Sequence, residues 1–568
     1  MNASVKGRQL ALASLYPTWE PRTLDQALSH AAKQWPNNEF IVSEQRSYTY
    51  QEIDEWAARL AGGLIASGVN PGDHVALLMA NYPEFVAIKF AISRVGAVAV
   101  PINFLNRRDE LAYVLKQSDA RCLITMNAFR DLNYLQMLDD IEPRWRGAGN
   151  NEVLRELRSV FVFSTGDALP HNVREFNELE GEQAWGSKGD PLADSDIIYT
   201  SGTTGGPKGV LLSHEMLLRA AFGSVYGRAF NLGRRILFSL PMYHVFGYVE
   251  GLLAAMLVGG AVIIQRQFTP HDTLAAVAKY SAEDLLLIPT MTMAVIEQMK
   301  SDTYDVSSVK AMLSSGGKSP AGIWELIYQR FGDIEVTTGY GMTEATASST
   351  VTRPDDPLSR LISTNGRLRD IGIATPAEND GKLVNYRVVD TETGETLPPG
   401  SMGELRMRGF GVTRGYYNKP VETAEAFDSE GWFRTGDLGT LDEDGYLTLK
   451  GRTKESYRCG GELVLPLEVE TALAAHPAVN EVHVVAIPDQ RMGEVGVACV
   501  VRADDTHVDD QELIDLCKQN LARFKVPKHI LFFLLEDIPT TSTGRPRKFL
   551  LVERVINRLN ETAKEGSL

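Results

Sequence analysis

The residues with the clearest chemistry lie in one loop, Tyr199 to Val210, which reads YTSGTTGGPKGV. Ser201, Thr203 and Thr204 supply hydroxyl donors, and Lys208 supplies a compact positive charge. Gly202, Gly205 and Gly206 let backbone N–H groups come close to a phosphate and accept positive φ. The loop is not a Walker A sequence, because Pro207 precedes Lys208 and Gly209 follows it where Ser or Thr would stand. Apolar runs flank it, DIIY at 196–199 and GVLL at 209–212, and each reads as a strand. Three hydroxyls, a Pro-Lys pair and two flanking strands are not the composition of a flexible linker.

Three other groups carry chemistry. Gly339-Tyr340-Gly341-Met342-Thr343-Glu344 follows a strand expected over 334–337. Its glycines allow backbone approach, Tyr340 offers a flat face for a base, and Glu344 is a hard oxygen ligand suited to Mg²⁺. Taken alone, such a turn is more often structural. Arg434-Thr435-Gly436-Asp437 presents a carboxylate from a tight turn, which can accept both hydroxyls of a ribose, although an isolated TGD is usually only a turn. Pro241 to Gly247, PMYHVFG, places one histidine in an apolar stretch, where core packing is its commonest role.

At 568 residues the chain exceeds a single compact core, and several domains are expected. Its 44% apolar content is that of an ordinary globular protein. A formal charge of −16 argues against general nucleic-acid binding, so an anionic substrate would need a local basic patch. Cys122, Cys459, Cys499 and Cys517 lack metal-like spacing and read as free thiols of a reducing compartment. The N-terminal stretch has no signal-peptide pattern, and the longest apolar run, 247–264, contains Glu250 and is too weak for a membrane span. A soluble cytoplasmic protein is expected.

The elements that position these groups follow from periodicity. Thr49 and Glu52 form a capping-box pattern, with Ile53, Trp56, Leu60 and Leu64 at helical spacing after it. Strands are expected at 75–79, 97–101, 236–240, 261–264 and 284–288, with helices between, which argues α/β layers around largely parallel sheets. The segment 144–194 reads as a polar, irregular excursion. From about Lys382 the texture turns β-rich and barrel-like (VNYRVVD, GELRMRG, GYLTLKG), and α/β patterning returns after Glu455.

On the loop and these motifs the chain resembles the adenylate-forming (AMP-binding) superfamily, in its acyl- and aryl-CoA synthetase branch. The resemblance covers nearly the whole chain. It implies an α/β multidomain fold: residues 1–453 as two α/β subdomains plus a small β-barrel from about 382, and a smaller mobile α+β C-terminal domain, 454–568, hinged at Lys454. It implies ATP, Mg²⁺ and coenzyme A as reactants and cofactor, with AMP or acyl-AMP at the same site. Thr200, Ser201, Gly202, Thr203, Thr204, Gly205 and Lys208 would hold the ATP phosphates. Gly339, Tyr340, Gly341 and Met342 would hold the nucleotide, with Tyr340 stacked on adenine and Gly316, in Ser315-Gly316-Gly317, on the other wall. Thr343 would contact the α-phosphate, Glu344 would ligate Mg²⁺, and Asp437 and Arg452 would take the ribose. Tyr243, His244, Val245 and Phe246 match the acyl-pocket segment, with His244 near the substrate carboxylate or the mouth of the CoA tunnel. Met312 and Met342 are further candidates for shaping that pocket. No acid stands in 241–247 to pair with a substrate ammonium, so an acyl or aryl acid is favoured over an amino acid. Gly460 and Gly461 match the loop that lines the pantetheine tunnel, and Cys459 beside them reads as a bystander thiol.

The main break in the pattern lies near the C-terminus. The C-terminal signature Pro-x-Thr-x-x-Gly-Lys appears here as Pro539-Thr540-Thr541-Ser542-Thr543-Gly544-Arg545. The family lysine bridges substrate carboxylate and α-phosphate during adenylation, and a guanidinium is longer, broader and differently aimed. Losing a preorganised charge of this kind costs roughly 3–4 kcal/mol, about 10²–10³ in rate. Adenylation would suffer and thioester formation would not, so the acyl-adenylate would come from a separate adenylating enzyme. The alternatives are that Arg545 is tolerated, that Lys548 reaches the site, that the enzyme loads a carrier protein, or that the chain binds acyl-adenylate without turnover. A lesser departure is Leu368, which replaces the usual proline after Asn365-Gly366-Arg367, and 361–383 aligns poorly.

Overall fold

The computed structural model describes residues 4–147, 151–166, 168–186, 189–200, 206–317, 319–320, 322–375, 380–503, 506–540 and 546–565, with side chains through 560. The chain forms two compact units: Met1–Gly316, Trp324–Asn385 and Arg408–Phe433 make the first, and Gly317–Ile323, Tyr386–Met407 and Arg434–Leu568 the second.

The first unit is built on two seven-stranded sheets. One runs in the order Glu335–Thr337, Ala311–Ser314, Asp284–Leu287, Arg235–Phe238, Ala261–Ile264, Glu39–Val42, Ser47–Thr49. Its pairings are parallel except for the edge strand Ser47–Thr49. Runs such as AVII and DLLL are buried along their whole length, as parallel strands covered on both faces must be. The other sheet runs Lys208–Ser213, Asp194–Thr200, Val98–Pro101, His74–Leu78, Cys122–Met126, Ser159–Phe163, Arg174–Glu175. Here only the pair flanking the loop is antiparallel.

The helix Tyr50–Ala66 starts as its sequence requires. Thr49 caps it, and both halves of the capping box with Glu52 are present. Ile53, Ala57, Leu60 and Leu64 are fully buried, while Trp56 stays half-buried and stacks on Tyr48. The segment 144–194 departs from its expectation as an irregular excursion. SVFVF, at Ser159–Phe163, is an internal strand of the second sheet, too short to stand out among polar neighbours. The apolar run after Phe246 folds as a π-helix, Phe246–Leu253, and then as the core strand Ala261–Ile264. Among the described residues no helix is long and apolar enough to cross a membrane.

In the second unit, Asn385–Val389, Gly403–Arg408, Phe433–Leu441 and Leu447–Arg452 form a four-stranded sheet in that order. The expected barrel does not close: no pairing joins the outer strands among the described residues. Four strands give too short a circumference for closure around a filled interior. The C-terminal part is a five-stranded sheet centred on the long antiparallel pair Val479–Asp489 and Gly493–Arg502. Pro466–Ala474, Asp510–Asn520 and Lys548–Glu565 are its helices. Val469, Leu473, Leu513 and Cys517 pack one face of this part, and Leu551 and Val555 pack another. The expected hinge residue Lys454 lies in an exposed turn within this unit.

Candidate active site

Strands Asp194–Thr200 and Lys208–Ser213 place Thr200 directly opposite Lys208, so the intervening loop is closed by a paired base. Ser201, Gly202, Thr203, Thr204 and Gly205 lie outside the described residues. Both ends of the loop are held by the helix Arg108–Gln117. The Tyr113 hydroxyl donates to Pro207 O at 2.9 Å, and Gln117 Oε1 accepts from the Tyr199 hydroxyl.

On the outer edge of Lys208–Ser213 the chain adds a short extended segment, 413–417. Leu211 N donates to Gly415 O at 3.1 Å and Tyr417 N to Gly209 O at 2.8 Å, with Tyr416 bridged to Val210. This brings the Tyr416 ring beneath the Lys208 ammonium, 4.7 Å from Nζ to centroid. The hydroxyl of the same ring donates to Glu344 Oε1 at 3.0 Å. Thr413 N also donates to Glu344 O at 2.8 Å, so both backbone and side chain of Glu344 are tied to this segment. Burial, then the Glu344 charge and its hydrogen bond, push the Tyr416 phenol far above its ordinary value, so it stays a donor.

Glu344 and Thr343 are buried, in a short 3₁₀ turn after the ribbon Gly341–Met342. The two glycines here have a packing reason. A Cβ at Gly339 would overlap Thr350 O, and one at Gly341 would overlap Ala347 O. Tyr340 is buried, its N–H donating to Thr350 Oγ1 at 3.0 Å and its hydroxyl lying 3.8 Å from Met342 Sδ. Ser315 Oγ donates to Gly339 O at 2.7 Å, joining the Ser315–Gly316 segment to the motif. Gly316 faces Phe246 and Ile288, each 3.4 Å from where a Cβ would be.

The segment 241–247 is fixed by Asn81, whose amide donates to Leu240 O and Gln265 O and whose Oδ1 accepts from Met242 N at 3.0 Å. Val245 is buried and Tyr243 packs edge-on against Phe104, with centroids 5.4 Å apart. His244 is half-buried. Its Nδ1 accepts from Phe246 N at 3.2 Å, which leaves the ring proton on Nε2, and loss of hydration holds the imidazole down at about 4. The ring is therefore neutral at physiological pH. Met312 is fully buried in Ala311–Ser314.

A buried ion pair ties these parts together. Arg369 grips Glu250 with both terminal nitrogens, at 3.0 and 3.2 Å, and both side chains are fully buried. Burial would raise the Glu250 carboxyl, but the Arg369 charge and hydrogen bonds outweigh that and lower it. Glu250 Oε1 also accepts from Ser348 N at 3.2 Å, so the π-helix that begins at Phe246 is linked to the strand beside the Glu344 turn.

In the second unit Asp437 and Arg452 stand opposite each other on adjacent antiparallel strands, with Nε 2.8 Å from Oδ1. Thr435 Oγ1 accepts from Asp437 N at 3.0 Å, which steadies the turn. Gly460 and Gly461 are the centre of a two-residue hairpin between Cys459 and Glu462, with φ of +62° and +89°. Positive φ at both positions is what such a turn demands. Cys459 is buried and burial raises its thiol. Arg545 lies outside the described residues. Lys548 is engaged by Glu470 at 2.7 Å and Glu455 at 3.3 Å.

Among the described residues no three His, Cys, Asp or Glu side chains converge to hold a metal ion. The donor set nevertheless fits Mg²⁺, which commonly takes one or two carboxylates and completes its shell with phosphate oxygens and water. Glu344 is one such carboxylate, buried and already oriented by Tyr416. Tyr416, Arg369 and Tyr113 were not singled out from sequence. Their partners are far away in the chain, and GYYNKP carries no chemical signature of its own.

Residues 28–417 match the AMP-binding enzyme family and residues 468–545 match the AMP-binding enzyme C-terminal domain. The chain is 32% identical to "Putative acyl-CoA synthetase YngI" of Bacillus subtilis (strain 168), over 96% of this chain and 99% of that protein. It is 30% identical to the mitochondrial medium-chain acyl-CoA ligase ACSF2 of Danio rerio, over 94% of this chain and 89% of the relative. Its fold superposes on ATP-bound MatB from Rhodopseudomonas palustris with a TM-score of 0.80 and 26% identity, covering 93% of this chain and 98% of MatB. The family match and the similarity along nearly the whole of both chains agree, and the chain belongs to the AMP-binding enzyme family.

Proposed function

We propose that this protein is an AMP-forming acid–CoA ligase that acts through an acyl-adenylate, and that its stronger half-reaction is transfer of the acyl group from the adenylate to coenzyme A. The observation that carries the ligase reading is the placement of Lys208 and Glu344 on one buried ring, Tyr416, at the base of the glycine-rich loop. Lys208 with the Thr200–Gly205 loop then orients the ATP phosphates, Tyr340 and Gly316 flank the base, and Asp437 with Arg452 takes the ribose. A carboxylate oxygen of the acid attacks the α-phosphorus and pyrophosphate leaves. Glu344 would hold Mg²⁺, which when bound neutralises charge on the phosphates. The CoA thiol then loses its proton to solvent, its sulfur attacks the acyl carbon, and AMP leaves. Positioning and charge stabilisation carry both steps, with no covalent enzyme intermediate. Lys454 serves as the pivot between the two half-reactions, and Gly460 and Gly461 admit the pantetheine arm.

The acid is apolar. Segment 241–247 has no carboxylate to pair with an ammonium group, and Tyr243 leans on Phe104. The similarity to a medium-chain acyl-CoA ligase favours medium-chain fatty acids.

The preference for the second half-reaction rests on Arg545. Lys548 does not offer an easy replacement, because Glu470 and Glu455 already neutralise it. The test supplies hexanoyl- and octanoyl-adenylate with free CoA and follows acyl-CoA and AMP. Equimolar release of both is expected. Thioester formation only on a pantetheinylated carrier protein would replace this reading with carrier loading, and adenylate binding without either product would make the chain a binding protein.

A further inference from the structure

We infer that Tyr416 is a positioning residue that sets the divalent-cation ligand of the site and the phosphate-binding lysine at a fixed separation. The inference rests on the reading of Glu344 and Lys208 given above. Three observations support it. First, the ring makes two different contacts with two charged groups: its edge hydroxyl donates to Glu344 Oε1 at 3.0 Å, and its face lies 4.7 Å from Lys208 Nζ. Second, the ring itself cannot drift. It is buried, its backbone is bridged to Val210, and Tyr416 N donates to Thr423 Oγ1 at 3.0 Å. Third, the same segment grips the Glu344 backbone through Thr413 N, which in turn has its hydroxyl on Leu211 O at 2.8 Å. Lys208 and Glu344 come from a strand and a turn, and the 413–417 segment spans them.

The physical consequence is selective. A carboxylate whose one oxygen is held by a phenol presents its other lone pairs in a set direction, and partners that orient a metal-binding carboxylate are typically worth 10–100-fold in metal affinity. The ring face, in contrast, acts on the ammonium, and a cation–π contact at a partly exposed site is worth a few-fold. Removing the hydroxyl alone should therefore weaken the cation, and removing the ring should in addition weaken the nucleotide.

The test measures binding. Mn²⁺ is titrated by electron paramagnetic resonance into the full-length protein with saturating ATP, and metal-free ATP is titrated by calorimetry in EDTA. In Tyr416→Phe, whose side chain fills the same volume, Mn²⁺ binding should weaken by about 10–100-fold. Its metal-free ATP affinity should stay within about twofold, since Phe keeps a cation–π face. In Tyr416→Leu the metal-free ATP affinity should fall as well. Glu344→Gln separates the two layers of the argument. If it binds Mn²⁺ as tightly as wild type, the reading of Glu344 is wrong and the inference falls with it. If it weakens Mn²⁺ while both Tyr416 variants, shown folded by their melting curves, bind as wild type, the site reading stands and Tyr416 is only a packing residue.

Discussion

At the scale of single residues, the site is a set of charges held by neutral neighbours. Lys208, at the loop base, lies over an aromatic face. Replacing Lys208 with Ala should slow acid-dependent pyrophosphate exchange by about 10²–10³, as removal of a preorganised donor usually does. Thioester formation from supplied acyl-adenylate should fall much less, which a paired assay would read directly. His244 allows a second prediction. Its ring is neutral down to about pH 4, so the pH profile of thioester formation should show no His244 inflection between 6 and 7. An inflection that disappears in His244→Gln would contradict the assignment. Lys208, Glu344 and Asp437 stood out in the sequence as candidates because the chemistry proposed for them follows from residue type within a short motif, and Arg452 because the family resemblance picks it out. Tyr416 and Arg369 did not, since their hydrogen-bonded partners Glu344 and Glu250 lie 72 and 119 positions away, and tyrosine or arginine alone announces no function. His244 was a candidate through the family resemblance, but its neutrality was not legible, because its desolvation is a property of the packed segment.

At the scale of elements, local sequence rules and tertiary packing divide the work. The helix Tyr50–Ala66 begins where its capping box says it should, and Thr49→Ala should cost about 1 kcal/mol of unfolding free energy with little effect on activity. Gly341 is different. Nothing in its own sequence shows that Ala347 O occupies the place of its Cβ. Gly341→Ala should destabilise the first unit by about 1–3 kcal/mol and displace the Glu344 turn, so melting temperature and Mn²⁺ affinity should fall together. Ser159–Phe163 was hidden for a related reason: a run of five residues, four of them buried, between polar stretches has no periodicity to read. Two histidines with lowered values weaken this unit in acid. His214 sits at about 3 through burial and the Lys89 charge, and His244 at about 4 through burial, both below the unfolded value near 6.5. The unfolded chain binds protons that the folded one refuses. Stability is thus full above pH 6.5 and declines as pH falls from there toward the folded values, by up to about 1.4 kcal/mol per pH unit per histidine. His214→Gln should flatten that slope by one such increment in urea unfolding series at pH 4.5, 5.5 and 7.5. An unchanged slope would mean His214 is protonated in the folded state.

At the scale of the whole molecule, alternation of helix and strand gave the two layered α/β sheets, since parallel strands announce themselves as unbroken apolar runs. It did not give closure of the β-rich region, because short amphipathic strands look alike whether they end in a barrel or in the four-stranded sheet found here. The family pattern covers both sheets and the C-terminal part, and its main chemical break is at Arg545. In the proposed reading that break decides which half of the reaction runs well, so the central measurement compares wild type with Arg545→Lys. Octanoate-dependent ATP–pyrophosphate exchange is measured alongside octanoyl-CoA formation from supplied octanoyl-adenylate. The account predicts brisk thioester formation in both proteins, weak exchange in the wild type and exchange about 10²–10³ faster in the lysine variant. Exchange in the wild type equal to that of Arg545→Lys would contradict it, and would leave an ordinary two-step ligase in which a guanidinium does the work of the lysine.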